Sequence, residues 1–244
     1  MKQNKYDESE FFHKYSQMPR SVGGLNAAGE WTAFRGMLPD LRGKRVLDLG
    51  CGYGWHCRYA REQQAEAVVG IDLSEKMLER AREMTDDPKI EYRRMAIEDI
   101  EFGQAEFEVV ISSLALHYVK DFAHLCSRVY RCLAPGGTFV LSVEHPIFTA
   151  LAAQDWHYGP AGEKLHWPVD QYHKEGARLT RFLGDDVVKY HRTLAAWLTA
   201  LLEAGFAIRQ VSELPPAPEM LECNPAWEEE VRRPMFLLLS VGKS

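Results

Sequence analysis

The sequence predicts an α/β fold built on a mainly parallel sheet. Three observations predict it. From Arg45 onward, short apolar strands alternate with helical stretches. A glycine-rich turn joins the first of these strands to the first helix. The final strand, 236–241, is apolar enough to be buried. With 244 residues, 46% apolar and 26% charged, the chain can bury a core without disulfide staples and is not disordered.

Residues 1–44 read as a helical segment broken by Pro19 and the pair Gly23-Gly24. The first strand is Arg45–Leu49 (RVLDL). Residues 53–64 carry no breaker and read as a helix, and 68–72 (VVGID) are the second strand. Ser74 suits the N-cap of a helix through Met84, with Met77, Leu78, Ala81 and Met84 at helical spacing. Strands follow at 90–95 and 107–112. A helix at 121–133 places Phe122, Leu125, Val129 and Leu133 on one face, stops at Pro135-Gly136-Gly137, and leads to a strand at 138–143. This alternation implies right-handed βαβ units.

Residues 147–190 break the rhythm. They hold Trp156, Tyr158, Trp167, Tyr172 and Phe182 among glycines and prolines, and read as an inserted lid with a hairpin over 178–183 and 187–191. A helix then starts at its N-cap Thr193, carries Leu194, Trp197, Leu198, Leu201 and Leu202, and ends at Gly205. The strand Ala207–Ser212 and a Pro-rich stretch, 214–218, precede the last strand.

The net charge of −6 argues against a phosphate-backbone footprint, and so against a nucleic-acid partner. The five cysteines, Cys51, Cys57, Cys126, Cys132 and Cys223, form no Cys-x-x-Cys pair; reduced thiols and no zinc site are expected. The first residues contain no apolar leader, and no apolar run approaches the roughly 18 residues of a spanning helix. The expectation is a soluble, cytoplasmic monomer or homodimer without a membrane partner.

The central signal is Asp48-Leu49-Gly50-Cys51-Gly52-Tyr53-Gly54, after a strand and before a helix. Glycines let the backbone turn sharply and let a ligand approach without a Cβ clash. Asp72 closes the second strand, 22 residues after Gly50, where an acid can accept hydrogen bonds from ribose hydroxyls. Together they point to an adenosine-type nucleotide. A dinucleotide site wants G-x-G-x-x-G, but its third glycine position is Trp55 here. The pattern is instead G-x-G-x-G preceded by an acid.

In the form VLDLGCGYG (46–54), this turn resembles the first motif of class I S-adenosylmethionine-dependent methyltransferases. GIDLSEKML (70–78) resembles that family's ribose-binding strand end, FEVVISSLALHYV (107–119) its fourth strand and loop, LAPGGTFVLSV (133–143) its fifth-strand region, and HRTLAAWLTALLEAGF (191–206) the helix before its sixth strand. The similarity covers about 41–241. It implies a Rossmann-like fold, a seven-stranded mainly parallel sheet with an antiparallel last strand. It further implies an N-terminal helical cap (1–44), a cofactor-binding domain (45–146 and 191–244) and a lid inserted at 147–190 over the acceptor site. The implied activity is methyl transfer from S-adenosylmethionine, closest to small bacterial enzymes acting mostly on small molecules.

The resemblance sets Asp48, Gly50, Cys51 and Gly52 against the methionyl part of the cofactor and Asp72 on the ribose. It sets Leu73 and Met77 beside the adenine, with Ile97 supplying a backbone N–H to that ring. The acid common before that position is Ala96 here, so the reading of the adenine amino group departs from the family pattern. Ser113 and Leu114 fall beside the sulfonium, and Tyr15 and Arg20 are candidates for the methionyl carboxylate.

Transfer from a sulfonium is an in-line displacement in which alignment carries much of the rate, and a base can assist an O–H or N–H acceptor. Candidate bases lie at the carboxyl ends of strands four and five: His145 first, His117 second. The (Asn/Asp)-Pro-Pro-aromatic motif of base-amino methyltransferases is replaced by Ser112-Ser113-Leu114-Ala115, and no metal constellation is recognisable. An aromatic-rich lid suits a small, partly apolar acceptor. Two other readings compete: a non-catalytic S-adenosylmethionine-binding protein, and a nicotinamide oxidoreductase, which Trp55 disfavours.

Overall fold

The computed structural model describes residues 3–213, 215–216, 221–222 and 225–244. Helices α1 (Ser9–Ser16), α2 (Pro19–Gly23) and α3 (Trp31–Met37) precede the sheet. Then come β1 (Arg45–Leu49), α4 (Trp55–Glu62), β2 (Ala67–Asp72), α5 (Glu75–Glu83), β3 (Ile90–Arg94), β4 (Phe107–Ser113), α6 (Phe122–Cys132) and β5 (Leu133–Glu144). The inserted region holds α7 (Pro146–Thr149) and two hairpins: β6 (His157–Tyr158) with β7 (Lys164–His166), and β8 (Gly176–Phe182) with β9 (Asp185–His191). Helix α8 (Leu194–Glu203) and strands β10 (Ala207–Ser212) and β11 (Phe236–Gly242) complete the chain. Of the Pro-rich stretch, Leu214, Ala217 and Pro218 lie outside the described residues, as does Cys223.

Seven strands form one sheet in the order β10-β11-β5-β4-β1-β2-β3. β11 runs antiparallel to both neighbours, β5 and β10, and the other pairings are parallel. This is the mainly parallel sheet with an antiparallel last strand that the sequence predicts. Alternate side chains of each strand feed two cores. Leu47 and Leu49 join Val110, Leu141, Leu239, Phe122 of α6 and Trp197 of α8. Val46 joins Val68, Val109, Val140 and Leu238 under α3, α4 and α5. Burial on both faces is why the strands read as continuous apolar runs.

Local rules explain the helix starts. The side chains of Ser74, Asp121 and Thr193 accept from the N–H groups of Met77, His124 and Ala196. Gly205 takes φ +100° just past α8, a conformation that favours glycine. Two expectations shift. β5 begins at Leu133, with Pro135-Gly136-Gly137 inside the strand, and its pairing with β4 slips between Phe107 and Val109. Gly136 at φ +74° accommodates that irregularity. Helix α3 buries Trp31, Phe34 and Met37 against the sheet, so within 1–44 only the part before it lies over the strand ends.

β1 is hydrogen-bonded to β2 on one side and β4 on the other, where the strand order reverses. In open α/β sheets, ligands bind in the crevice beyond the carboxyl ends of the strands at that reversal.

Candidate active site

The turn after β1 is left-handed at Gly50 (φ +77°), Gly52 (φ +52°) and Gly54 (φ +71°). A Cβ on Gly50 would stand 2.4 Å from Ala115 Cβ, and one on Gly54 2.0 Å from Tyr92 Oη. Both glycines are needed for packing. At Gly52, apart from its chain neighbours, no heavy atom of the described residues lies within 4 Å of the Cβ position, which leaves open ground over half-buried backbone. The Gly50 and Cys51 N–H groups both donate to Ile71 O at 2.9 Å, pinning the turn to the end of β2.

Two buried carboxylates frame this turn. Asp48 is fully enclosed; Oδ2 accepts from Cys57 Sγ at 3.3 Å and Oδ1 has no partner among the described residues. Burial pushes its carboxyl up to about 7. Asp72 accepts from Gly52 N–H on Oδ2 and from Ser74 N–H on Oδ1, both at 2.9 Å. Burial raises its carboxyl, and those N–H donors oppose the shift. Leu73 and the buried Met77 follow at the start of α5, and Ile97 opens a short turn whose side chain approaches Gly50. Cys51 turns its sulfur into the core, and burial lifts the thiol to about 11, so its backbone alone faces the turn.

The N-terminal segment closes over this ground. Tyr15 meets Tyr53 and Tyr6 edge-on, with centroids 5.9 and 5.2 Å apart, and Tyr6 reaches Tyr118 through hydroxyls 3.2 Å apart. Arg20 lies 2.5 Å from the buried Glu30, and Ser113 at the end of β4 donates to the same Glu30 oxygen at 3.4 Å. Arg20 and Ser113 therefore share one polar cluster. Trp55, which fills the dinucleotide glycine position, packs against Gly24: a Cβ there would stand 2.7 Å from the indole. Next to Ser113, Leu114 takes φ +52°, held by its N–H to Ser142 O at 2.9 Å.

The carboxyl ends of β4 and β5 hold the two candidate bases. His145 is the N-cap of α7: Nδ1 accepts from Ile147 N–H at 3.0 Å and Nε2 lies 2.5 Å from Glu213 Oε1. With Nδ1 accepting, Nε2 carries the proton and donates to the carboxylate, which leaves no lone pair for an acceptor's proton. His117 is buried, and burial lowers its imidazole to about 4, so it is neutral near pH 7. Its Nδ1 faces Glu144 N–H at 3.5 Å.

Beside His117 stands a pair that sequence reasoning missed. Glu144, the last residue of β5, meets Lys189 of β9 at 2.5 Å; the lysine is buried and the carboxylate largely shielded. Gln154 donates to Glu144 Oε2 at 2.9 Å and accepts from Lys189 Nζ at 3.1 Å and Thr180 Oγ1 at 2.8 Å. Burial opposes ionisation of Glu144, but His117 and Lys189 hold its carboxyl below the usual range. Val187, Lys189 and His191 all turn inward from β9, an alternation of period two that puts the lysine on the buried face of the strand. Glu30 and Tyr6 carried no comparable signal.

The inserted region meets the N-terminal segment over the strand ends. Phe182 packs on Phe11 with centroids 6.0 Å apart, Val188 N–H donates to Gln3 Oε1 at 2.8 Å, and Lys14 lies 3.6 Å from Asp185. Other lid aromatics serve the insert's own packing. Phe148 stacks on Trp167, Trp156 meets it edge-on, and the Arg233 guanidinium lies over all three rings. Among the described residues, no group of three or more His, Cys, Asp or Glu could hold a metal ion, and no helix is long and apolar enough to cross a membrane.

A family model described as "Methyltransferase domain" matches residues 47–141. The fold superposes with TM-score 0.85 on an S-adenosylmethionine-dependent methyltransferase of Mesorhizobium loti, 47% identical, covering 90% of this chain and 100% of that one. The chain belongs to the class I S-adenosylmethionine-dependent methyltransferases.

Relatives in this methyltransferase family differ in acceptor. N-demethylindolmycin N-methyltransferase of Streptomyces griseus is 27% identical over 71% of this chain and 73% of its own. A tRNA U34 carboxymethyltransferase of Methylococcus capsulatus is 31% identical over 53% of this chain and 43% of its own. The methyltransferase uses S-adenosylmethionine, and its site fits that cofactor: an unpartnered buried carboxylate oxygen on Asp48 and unfilled space over Gly52 suit a cationic, adenosine-bearing ligand.

Proposed function

We propose that this methyltransferase transfers the methyl group to a small-molecule acceptor. The observation that carries the proposal is the enclosure of the site. The N-terminal segment and the β8–β9 hairpin meet through Phe11–Phe182, Gln3–Val188 and Lys14–Asp185 across the carboxyl ends of the strands. A roof made from the chain itself suits an acceptor that can be enclosed and shielded from water. The net charge of −6 is consistent with that choice.

The cofactor supplies a methyl group already activated on a sulfonium. The chain's residues bind, orient and exclude water. In this reading Asp48, Gly50, Gly52 and the Cys51 backbone hold the methionyl part, and Asp72 takes the ribose. Leu73, Met77 and Ile97 flank the adenine, and Tyr15 and Arg20 close over the carboxylate. Ser113 and Leu114 line the place of transfer. His117, neutral and beside Glu144, replaces His145 as the histidine nearest the acceptor side. It hydrogen-bonds and aligns the acceptor, and alignment alone accounts for a large share of the rate in such displacements.

The test is formation of S-adenosylhomocysteine against two sets of acceptors: a panel of small amines, phenols, alcohols and thiols, and total tRNA. Turnover with a panel compound and none with tRNA is expected. Transfer to tRNA with none to the panel would overturn the proposal.

A further inference from the structure

The N-terminal segment is fastened to the cofactor site at one residue that the methyl-transfer chemistry does not use. Asp7 reaches across to the first turn of α5. Its Oδ1 accepts from Ser74 Oγ at 2.6 Å and from Lys76 N–H at 3.2 Å. Its Oδ2 accepts from Asn4 Nδ2 at 2.7 Å and lies 3.6 Å from Arg94. Asn4 in turn donates to Leu73 O at 3.4 Å.

These contacts fall on the turn that carries the ribose acid. Ser74 N–H donates to Asp72, and Ser74 Oγ accepts from Met77 N–H while donating to Asp7. The orphan N–H groups of α5 are therefore divided between its own cap and a carboxylate some seventy residues away in sequence, and a negative charge there also complements the helix dipole. The neighbouring residue, Tyr6, is half-buried in the roof, its ring edge-on to Phe11, Tyr15 and Tyr118. One short turn thus places an aromatic in the roof and an anchor on the ribose turn.

We propose that Asp7 is a positioning residue for S-adenosylmethionine: by gripping the first turn of α5 it docks the N-terminal segment over the site and fixes the turn that presents Asp72. Docking and cofactor binding then favour each other, and by linkage each strengthens the other by the same factor. Without Asp7, the segment loses its anchor, Tyr6 leaves the wall, and Ser74 loses the partner that orients it.

The experiment combines calorimetry of S-adenosylmethionine binding with amide hydrogen exchange over 3–23. In the wild-type protein the cofactor slows exchange across that segment. Asp7→Ala weakens binding at least about tenfold, as expected for lost charge-assisted hydrogen bonds. The melting temperature of its unliganded form stays within a few degrees. Asp7→Asn, which keeps an oxygen and loses the charge, falls between. A folded Asp7→Ala protein that binds within twofold of wild type overturns the proposal, as does a lowered melting temperature with unchanged affinity. Should Asp7→Ala fail to fold, the wild-type exchange decides: equal exchange over 3–23 with and without cofactor overturns it.

Discussion

The two halves of the site are built from different materials. The half assigned to the cofactor is mostly backbone: three left-handed glycines after β1, N–H groups turned onto Ile71 and Asp72, and a carboxylate with one oxygen unpartnered among the described residues. The half assigned to the acceptor is side chains drawn from distant segments: Tyr6 and Phe11 from the N-terminus, His117 after β4, Glu144 from β5, Lys189 from the insert. The backbone half depends on conformations that glycine permits, so it admits few sequences. The side-chain half depends on buried charges that hold one another, and removing one partner strands the other. In the proposed reading the first half holds the cofactor and the second faces the acceptor.

This contrast makes Lys189→Met the most damaging change in the acceptor half. It leaves Glu144 buried opposite an apolar chain. Breaking a buried pair from one side costs about 3–5 kcal/mol, and a chain of this size loses roughly 2–4 °C of melting temperature per kcal/mol. We expect a fall on the order of 10 °C by calorimetry. The double variant Glu144→Gln, Lys189→Met should regain most of it, because no charge is then stranded. A double variant as unstable as the single one would show that the pair acts through packing.

In the cofactor half the largest effect falls on Asp72. Asp72→Ala removes the acceptor of two backbone N–H groups and the group assigned to the ribose. Charge-assisted hydrogen bonds contribute roughly 1.5–3 kcal/mol, so affinity for S-adenosylmethionine should fall about ten- to a hundred-fold. Unchanged affinity by titration calorimetry in a folded protein would remove Asp72 from the ribose.

The same contrast explains what was legible in the sequence. The spacing from Gly50 to Asp72 is local, and a strand–turn–helix–strand unit must place those residues together. The resemblance to the methyltransferases rests on that unit, and the comparisons uphold it. Glu144 and Lys189 are 45 residues apart, joined by a hairpin whose path no local rule dictates. The engagement of both His145 ring nitrogens has a definite cause. A histidine after a strand reads as a base, but Pro146 behind it is a proline at the first helical position, which makes the preceding polar residue an N-cap. The aromatics of the insert left two readings open in the sequence, an acceptor lining and a packing core of their own, and Trp156 and Trp167 lie against Arg233. Pro-Gly-Gly ordinarily ends regular structure, which puts the expected start of β5 at 138, and a pairing irregularity absorbs it here.

A smaller effect follows from Asp48. Its folded carboxyl is raised from 3.8 to about 7, above the unfolded value. The unfolded chain therefore loses its proton first, and this group's contribution to stability declines as pH rises from about 4 to about 7. A cationic ligand beside Asp48 favours the ionised form, so affinity for S-adenosylmethionine should rise with pH over that window, by up to about tenfold between pH 5.5 and 7.5. Asp48→Asn should flatten the dependence. Calorimetry at several pH values checks both, and an equally steep dependence in Asp48→Asn would assign it to another group.

The smallest expected effect on turnover belongs to His145. General-base catalysis typically contributes about 10²–10⁴-fold, which is what His145→Ala would cost if the imidazole took the acceptor's proton. Both ring nitrogens are engaged instead, one by the Ile147 N–H and one by Glu213. Losing a cap costs about 0.5–2 kcal/mol of stability. In the proposed reading the methyl-transfer rate depends on alignment over Ser113 and His117, which the loss leaves in place. We therefore expect His145→Ala to melt several degrees lower while its single-turnover rate stays within about fivefold of wild type. The pH profile should also keep its shape. His117 is lowered to about 4, so its neutral form is complete well below pH 6 and neither protein should show an inflection near 6.5. An inflection there that disappears in His145→Ala, with a rate loss above a hundredfold, would return the base to His145 and require the Glu213 contact to open during turnover.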